Sequence, residues 1–533
     1  MTDDFAVNFI CPQSTEHNCK PCLLCGGTRE PFKGEPCSGC GAYSHSKLFN
    51  WNGLLKGMGL RTMWLEVQNN RTRLIRGTDD EIEFLADYLA FEDNKGRFKR
   101  KSKSRREQKA QMFNIFDNSF PTGLLPLVRK AATRAEYQVQ IKDVRVVPCL
   151  ADWTEDIDWL DAIVPEGEDP YQLPAVQRAI ERKRGILKLA TGGGKTECAA
   201  AIATVLRCKW LFVAHRMNLA VQAGERFKKR TGEAFGIVGE GQWNIRRFTC
   251  ATFQTLLARF KTPECQKLLR ETEGVIFDES HVVGAESFWP IAQSMKNAYY
   301  RFGLSGTPLN RGDQRSALNV AAIGPVIYEL KAGALIEKGV LSKATIRFSP
   351  LFQPVRAKTW SGVKGEAIIR SKKRNQLLLS LAKKATKPGF LFIDEINHGQ
   401  MLVQQLQMAG ISAELVWGKL TTPERNAAKR RLEHGDIDLI VCNVVFQEGI
   451  DVPSLRSVIV GCGGKSVIAA LQRVGRGTRK DRDEEGNILK DTFEVWDIFD
   501  KGDEWLEKHS KERMSAYLRE GYQTIMEQPK VNV

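Results

Sequence analysis

No run of eighteen consecutive apolar residues occurs in this chain, so the uncharged helix needed to cross a bilayer core is missing. The first ten residues hold two aspartates and no lysine or arginine, which removes the basic n-region of a secretory signal. A cytoplasmic location is therefore expected. Cysteine is sparse outside one segment: of 13 cysteines, six fall between positions 11 and 40 and seven are scattered singly. The scattered ones fit small buried hydrophobes without a redox role. No internal repeat at solenoid spacing appears. Acidic residues are in deficit, 63 against 79 lysines and arginines, for a net charge of +16. A polyanionic partner suits that balance, because basic side chains that neutralise phosphates release counterions.

What remains is ordinary for a globular protein, with 42% hydrophobic and 27% charged residues. A length of 533 residues accommodates three or four domains at ~150 residues each. Residues 1–48 are rich in Cys, Gly and Pro and too few to bury a core without a staple. Cys22-x-x-Cys25 and Cys37-x-x-Cys40 stand eleven residues apart. Two such turns facing each other make a tetrahedral thiolate site, so a structural zinc is expected there, with no open position for a catalytic water. Cys11, His17 and Cys19 are either further ligands or unliganded loop residues.

Residues 49–165 form a mixed α+β region with a helical pattern over 80–91. It is interrupted at 94–109 by nine basic residues and one acidic residue. That run reads as a solvated loop, and disorder is compatible with phosphate binding. The acidic stretch 151–170 reads as a connector.

From 171 onward, β-type runs alternate with amphipathic helical patterns. GILKLA, WLFVAH, GVIFDE and YRFGLS come first. GFLFID, AELVWG, LIVCN, SVIVG and TFEVWDIFD follow after about residue 347. Such alternation predicts parallel-sheet α/β units with ligand groups at the carboxyl ends of the strands.

Three motifs carry chemistry. In ATGGGKT (190–196), Gly192, Gly193 and Gly194 allow backbone N–H groups to face phosphates, and Thr191 lies in the same loop. Lys195 is suited to the β- and γ-phosphates, and Thr196 to magnesium. The early glycine of the strict phosphate-loop pattern is absent, since position 189 is Leu. In FDESH (277–281), Asp278 is suited to magnesium and Glu279 to orienting and deprotonating a water. In QRVGRGTR (472–479), Arg476 and Arg479 lie three apart, one turn beyond Gln472. They suit the charge that develops on a transferring phosphoryl group, with Gln472 positioning the water. Arg479 is the preferred finger.

In this order, the motifs resemble those of superfamily 2 helicases over about 170–500. Tyr171 and Gln172 resemble the adenine-reading motif. VAHRMNLAVQ (213–222) and CATFQTL (250–256) resemble strand-contact motifs, which implies nucleic-acid contacts for Arg216, Thr252 and Gln254. SGTP (305–308) resembles the coupling motif, implicating Ser305 and Thr307. FQEGIDVP (446–453) resembles a second-lobe motif, which implies nucleotide contacts for Gly449 and Asp451. The linker 323–348 is similar to that of the XPB- and UvsW-like branch, and 506–522 resembles a terminal helix of phage helicases in that group. Ser280 departs from the DEAD and DEAH forms and argues against DEAD-box RNA helicases.

The resemblance implies two tandem RecA-like parallel-sheet lobes, at 166–340 and 341–502, with a helical tail at 503–533. The zinc ribbon and the mixed DNA-binding region would precede them. It also implies ATP, magnesium and zinc as cofactors. DNA (single-stranded, duplex or branched) would be the partner, in replication, recombination or repair, with proteins of those processes. An RNA helicase, a nucleic-acid-binding module with an inactive motor, and the motor subunit of a larger complex are the alternatives. No separate nuclease constellation is present, so cutting would need a partner.

Overall fold

A computed structural model describes residues 61–92, 109–148, 157–162, 164–283, 288–306, 315–443, 452–464, 471, 474–475, 477–483 and 485–528. The chain divides into two compact units. One comprises residues 1–162, 170–189 and 194–329, and the other comprises 163–169, 190–193 and 330–533.

In the first unit, strict alternation in RTMWLEV buries Met63, Leu65 and Val67 on one face of the strand Arg61–Val67. This strand pairs antiparallel with Arg71–Ile75 and parallel with Tyr137–Asp143. Ser119–Pro121 lies beyond Arg71–Ile75 and completes a four-stranded sheet. The parallel pairing requires a crossover, and the helices Asp79–Tyr88 and Leu125–Arg134 lie within it. Thr78 and Glu81 form a reciprocal capping box at the first helix. That helix stops at Tyr88, short of the expected 91, because Ala90–Glu92 turns into a strand paired with Lys109–Gln111.

The core of this sheet is shared with the parallel-sheet region. Phe84, Leu85, Tyr88 and Val128 cluster with Val320 and Ala321, which belong to the helix Arg315–Ala322. The Asn69 and Asn70 amides donate to the carbonyls of Asn297 and Gln293, each at 3.0 Å. A Cβ on Gly123 would sit 2.2 Å from the Val320 carbonyl oxygen, so only glycine allows that approach. The boundary expected near 165 thus separates two sheets but not two cores.

The eight-stranded sheet of the first unit runs Gln242–Asn244, Gly236–Gly239, Phe248–Thr252, Trp210–Ala214, Gly274–Asp278, Tyr300–Ser305, Arg184–Leu189, Val326–Leu330. From Gly236–Gly239 through Arg184–Leu189 the neighbours pair parallel. Gln242–Asn244 is an antiparallel edge. The central strands are fully buried, as expected where helices cover both faces of a parallel sheet.

The second unit holds a seven-stranded sheet in the order Ala413–Val416, Leu439–Cys442, Gly389–Phe392, Ser457–Val460, Thr492–Lys501, Lys343–Phe352, Gln523–Met526. All its pairings are parallel. The runs read as strands in the sequence are strands here. Lys343–Phe352 falls partly in the stretch read as a linker, and Gln523–Met526 was not anticipated. The helix Glu504–Arg519 lies in sequence between Thr492–Lys501 and Gln523–Met526, two strands of one sheet. The segment expected as a helical tail from 503 thus also carries a strand of the second sheet, Gln523–Met526. Arg513 on this helix forms a fully buried pair with Asp497, at 2.9 and 3.0 Å. Arg374 pairs with Asp500 at 2.6 Å, both fully buried.

Cys198, Cys208, Cys250, Cys265, Cys442 and Cys462 are free and buried. Burial pushes the first three thiols up, which keeps them unreactive. Among the described residues, no helix is long and apolar enough to cross a membrane.

Candidate nucleotide site and motor domains

The strand Arg184–Leu189 runs into the glycine loop, and the helix Lys195–Val205 leaves it. Gly192 and Gly194 adopt φ of +87° and +79°, conformations that are costly for residues with a Cβ. The Gly193 N–H closes a turn on the Ala190 carbonyl at 3.0 Å. Gly194 is the N-cap and no side chain caps the helix, so the amides of its first turn stay available to an anion.

Gln172 packs against this loop. Its Nε2 lies 2.0 Å from where a Gly194 Cβ would be built. Gln172 begins the helix Gln172–Arg182, and Asp161 fastens that helix. The Asp161 carboxylate accepts from the N–H groups of Tyr171, Gln172 and Leu173 at 2.7–2.9 Å. The Asp161 N–H donates back to Gln172 Oε1 at 2.8 Å. Asp161 sits in the acidic stretch read as a connector, and its distance from the helix hid this role. The Tyr171 carbonyl accepts from the Tyr328 hydroxyl at 3.0 Å.

Asp278 ends the strand Gly274–Asp278, and Glu279 follows in a left-handed conformation at φ 45°, ψ 53°. A non-glycine residue held there stores of the order of 1–3 kcal/mol. The Glu279 carboxylate accepts from Lys195 Nζ at 2.9 Å and from Ser305 Oγ at 3.4 Å. His281 Nδ1 lies 3.3 Å from the same carboxylate and 3.3 Å from Ser305 Oγ. Burial, then the neighbouring Glu279 charge, pushes the Asp278 carboxyl up to about 6. Burial also works against Glu279, but Lys195 and His281 outweigh it and hold its carboxyl well below the usual range. Adjacent acids with opposed tendencies give one residue poised to gain by a cation and one fixed as a carboxylate. His281 was not singled out in the sequence, although it stands two positions from Glu279.

Arg216 and Thr252 lie just past or at the carboxyl ends of the adjacent strands Trp210–Ala214 and Phe248–Thr252. Arg216 is the N-cap residue of the helix Met217–Thr231. The Thr252 hydroxyl caps the helix Phe253–Ala258 by accepting from the Thr255 N–H. Gln254 is more open, with its amide 3.3 Å from His215 Nδ1.

In the second unit, Arg479 bridges to Leu341 in antiparallel fashion. Thr307, Gly449, Asp451, Gln472 and Arg476 lie outside the described residues, as do Cys11, His17, Cys19, Cys22, Cys25, Cys37 and Cys40 and all but the last residue of the basic run.

Residues 167–310 match the family of the Type III restriction enzyme res subunit, and residues 372–481 match the helicase conserved C-terminal domain. The chain is an ATP-dependent helicase. Its two motor domains are of the superfamily 2 type. The DNA 3'-5' translocase XPB2 of Sulfurisphaera tokodaii is 27% identical, over 60% of this chain and 80% of that one. The ATP-dependent DNA helicase uvsW of Enterobacteria phage T4 is 25% identical, over 67% of this chain and 76% of that one. Among solved structures, the Type ISP restriction-modification enzyme LlaBIII bound to DNA shares the fold. Its TM-score is 0.52 and its identity 15%, over 76% of this chain and 36% of that one.

Proposed function

We propose that this helicase acts on DNA and uses ATP hydrolysis to translocate along it and to unwind or remodel it, branched DNA included. The observation that carries the hydrolysis is the contact of Lys195 with Glu279 at 2.9 Å, and the similarity to a DNA translocase and a DNA helicase supports DNA as the polymer. The contact brings a phosphate-seeking cation and a candidate base together beside a loop in which Gly192 and Gly194 hold positive φ.

In this reading, Thr191, Gly192, Gly193, Gly194 and Lys195 bind the phosphates, and Tyr171 and Gln172 recognise the base. Glu279 orients water and accepts its proton, held in place by Ser305 and His281. The donor set suits magnesium: Thr196 and Asp278 would hold it, and the raised Asp278 carboxyl marks a position that a cation stabilises. When bound, magnesium supplies neutralisation of phosphate charge. Arg479, with Arg476 and Gln472, answers the charge developing on the γ-phosphoryl group, and Gly449 and Asp451 complete the nucleotide contacts. Arg216, Thr252 and Gln254 grip the strand, with Thr252 acting through the helix it caps. Ser305 and Thr307 link hydrolysis to that grip.

Cys22, Cys25, Cys37 and Cys40 hold a structural zinc on a ribbon that, with the basic run, docks nucleic acid. Metal analysis of the purified chain tests the zinc. Replication, recombination and repair in the cytoplasm, including a phage-infected one, are the settings proposed, with proteins of those processes as partners.

Comparing ATP hydrolysis with single-stranded, duplex, forked and four-way DNA and with RNA tests the polymer. DNA is expected to stimulate turnover well above RNA. Stimulation by RNA alone would replace this reading with an RNA helicase.

A further inference from the structure

Lys490 ends the short strand Ile488–Lys490, downstream of the stretch 372–481 that matches the helicase C-terminal family. It belongs to none of the motifs. Yet its side chain is buried, with 1% of the residue exposed, which is rare for lysine. The ammonium donates to three backbone carbonyls: Pro453 at 2.6 Å, Gly477 at 2.9 Å and Leu455 at 3.0 Å. A lysine has three donors and no acceptor, so three carbonyl oxygens match its capacity. The Phe493 ring lies 5.8 Å from the same ammonium.

The carbonyls belong to separate pieces of machinery. Pro453 closes FQEGIDVP and Leu455 follows it, while Gly477 lies within QRVGRGTR. One buried charge therefore ties the end of one motif to the middle of the other. Gly477 lies close against the Phe493 ring, where a Cβ would stand 1.8 Å away, so only glycine fits at that position. The next residues are held as well. The Ser342 N–H donates to the Thr478 carbonyl at 2.7 Å. The Ser342 hydroxyl lies 3.3 Å from the Arg479 carbonyl oxygen and 3.4 Å from that of Lys490, within reach of donating its one proton to either. Thr478 Oγ1 donates to the Gly475 carbonyl at 3.0 Å.

We infer that Lys490 is a positioning residue for ATP hydrolysis, whose buried ammonium clamps the FQEGIDVP and arginine motifs together and fixes the backbone from which Arg479 projects. The inference rests on reading Arg479 as the arginine that answers transition-state charge. A misplacement of about 1 Å in such a group costs roughly 100-fold in rate, whereas the phosphate loop, which Lys490 does not touch, keeps most of the ground-state nucleotide binding. Lys490 therefore acts mainly on kcat, with a small effect on KM through FQEGIDVP.

The experiment measures ATP turnover and KM, at saturating DNA, for the full-length protein and for Lys490→Met, Ser342→Ala and Arg479→Ala. Lys490→Met keeps the stem and removes the charge; kcat is expected to fall about 10–100-fold with KM within about threefold. Ser342→Ala, a milder change that removes the hydroxyl from the Arg479 and Lys490 carbonyls, is expected to lower kcat about 2–5-fold in the same pattern. If Lys490→Met does not fold, the Ser342→Ala result decides. The inference is overturned if Arg479→Ala lowers kcat while a folded Lys490→Met enzyme, or failing that Ser342→Ala, retains it. It is equally overturned if kcat and KM deteriorate together. If Arg479→Ala leaves kcat intact, the arginine reading itself falls and takes the clamp's catalytic role with it.

Discussion

Replacing Glu279 with glutamine is expected to lower ATP turnover by about 10²–10⁴-fold, the range of a lost general base. Affinity for ATP should stay within a few-fold. Glutamine keeps the length of the side chain and an oxygen for the Lys195 ammonium, now 2.9 Å from Glu279, but it cannot take a proton. The left-handed backbone at φ 45° and the contacts to Ser305 and His281 remain to hold the new amide in place. Lys195→Ala should behave differently. It removes the phosphate-seeking charge and the group that keeps the Glu279 carboxyl low, so binding and turnover fall together. Binding of a fluorescent ATP analogue, measured beside steady-state turnover, separates the two. A Glu279→Gln enzyme that turns over within about threefold of the native rate would remove Glu279 from the chemistry.

The second large effect is on stability. Arg513→Met should destabilise the second unit by about 3–5 kcal/mol, as expected when one partner of a buried ion pair is removed. Arg513 and Asp497 are 1% and 0% exposed at their side chains, so solvent does not screen the pair. Arg513 also donates to the carbonyls of Gly464 at 3.1 Å and Ile498 at 2.9 Å. Without it, the Asp497 carboxylate keeps the Tyr517 hydroxyl at 3.0 Å and the adjacent Ile498 N–H at 2.7 Å, but no positive charge. Adding Asp497→Leu to Arg513→Met should recover part of the loss, because the orphaned charge disappears. The shift in urea midpoint of the two variants checks this. A loss below about 1 kcal/mol for Arg513→Met would mean the buried pair contributes little beyond its packing.

This pair also shows where sequence reading stops. Apolar runs ending in ATGGGKT and FDESH made the parallel α/β architecture legible, because a buried strand and the ligand group at its carboxyl end are neighbours in sequence. Lys195 and Glu279 were readable for that reason. Asp161 was not: it caps a helix that begins eleven residues later, and its acidic surroundings looked like a solvated connector. Arg513 and Lys490 look like surface charges in their segments, and only the packing of distant strands makes them buried. The packing that crosses the divisions expected near 165 and at 502 was hidden for a related reason. Val320 and Ala321 fill the core of the N-terminal sheet, and Gln523–Met526 pairs with Lys343–Phe352. Neither partnership leaves a local trace in composition or periodicity.

The most direct test of the central claim is displacement of a labelled strand from a forked DNA duplex, followed in real time with ATP and magnesium. The account predicts displacement with ATP by the native protein, and none with a non-hydrolysable analogue or with the Glu279→Gln enzyme. Displacement that proceeds equally without hydrolysis would contradict it.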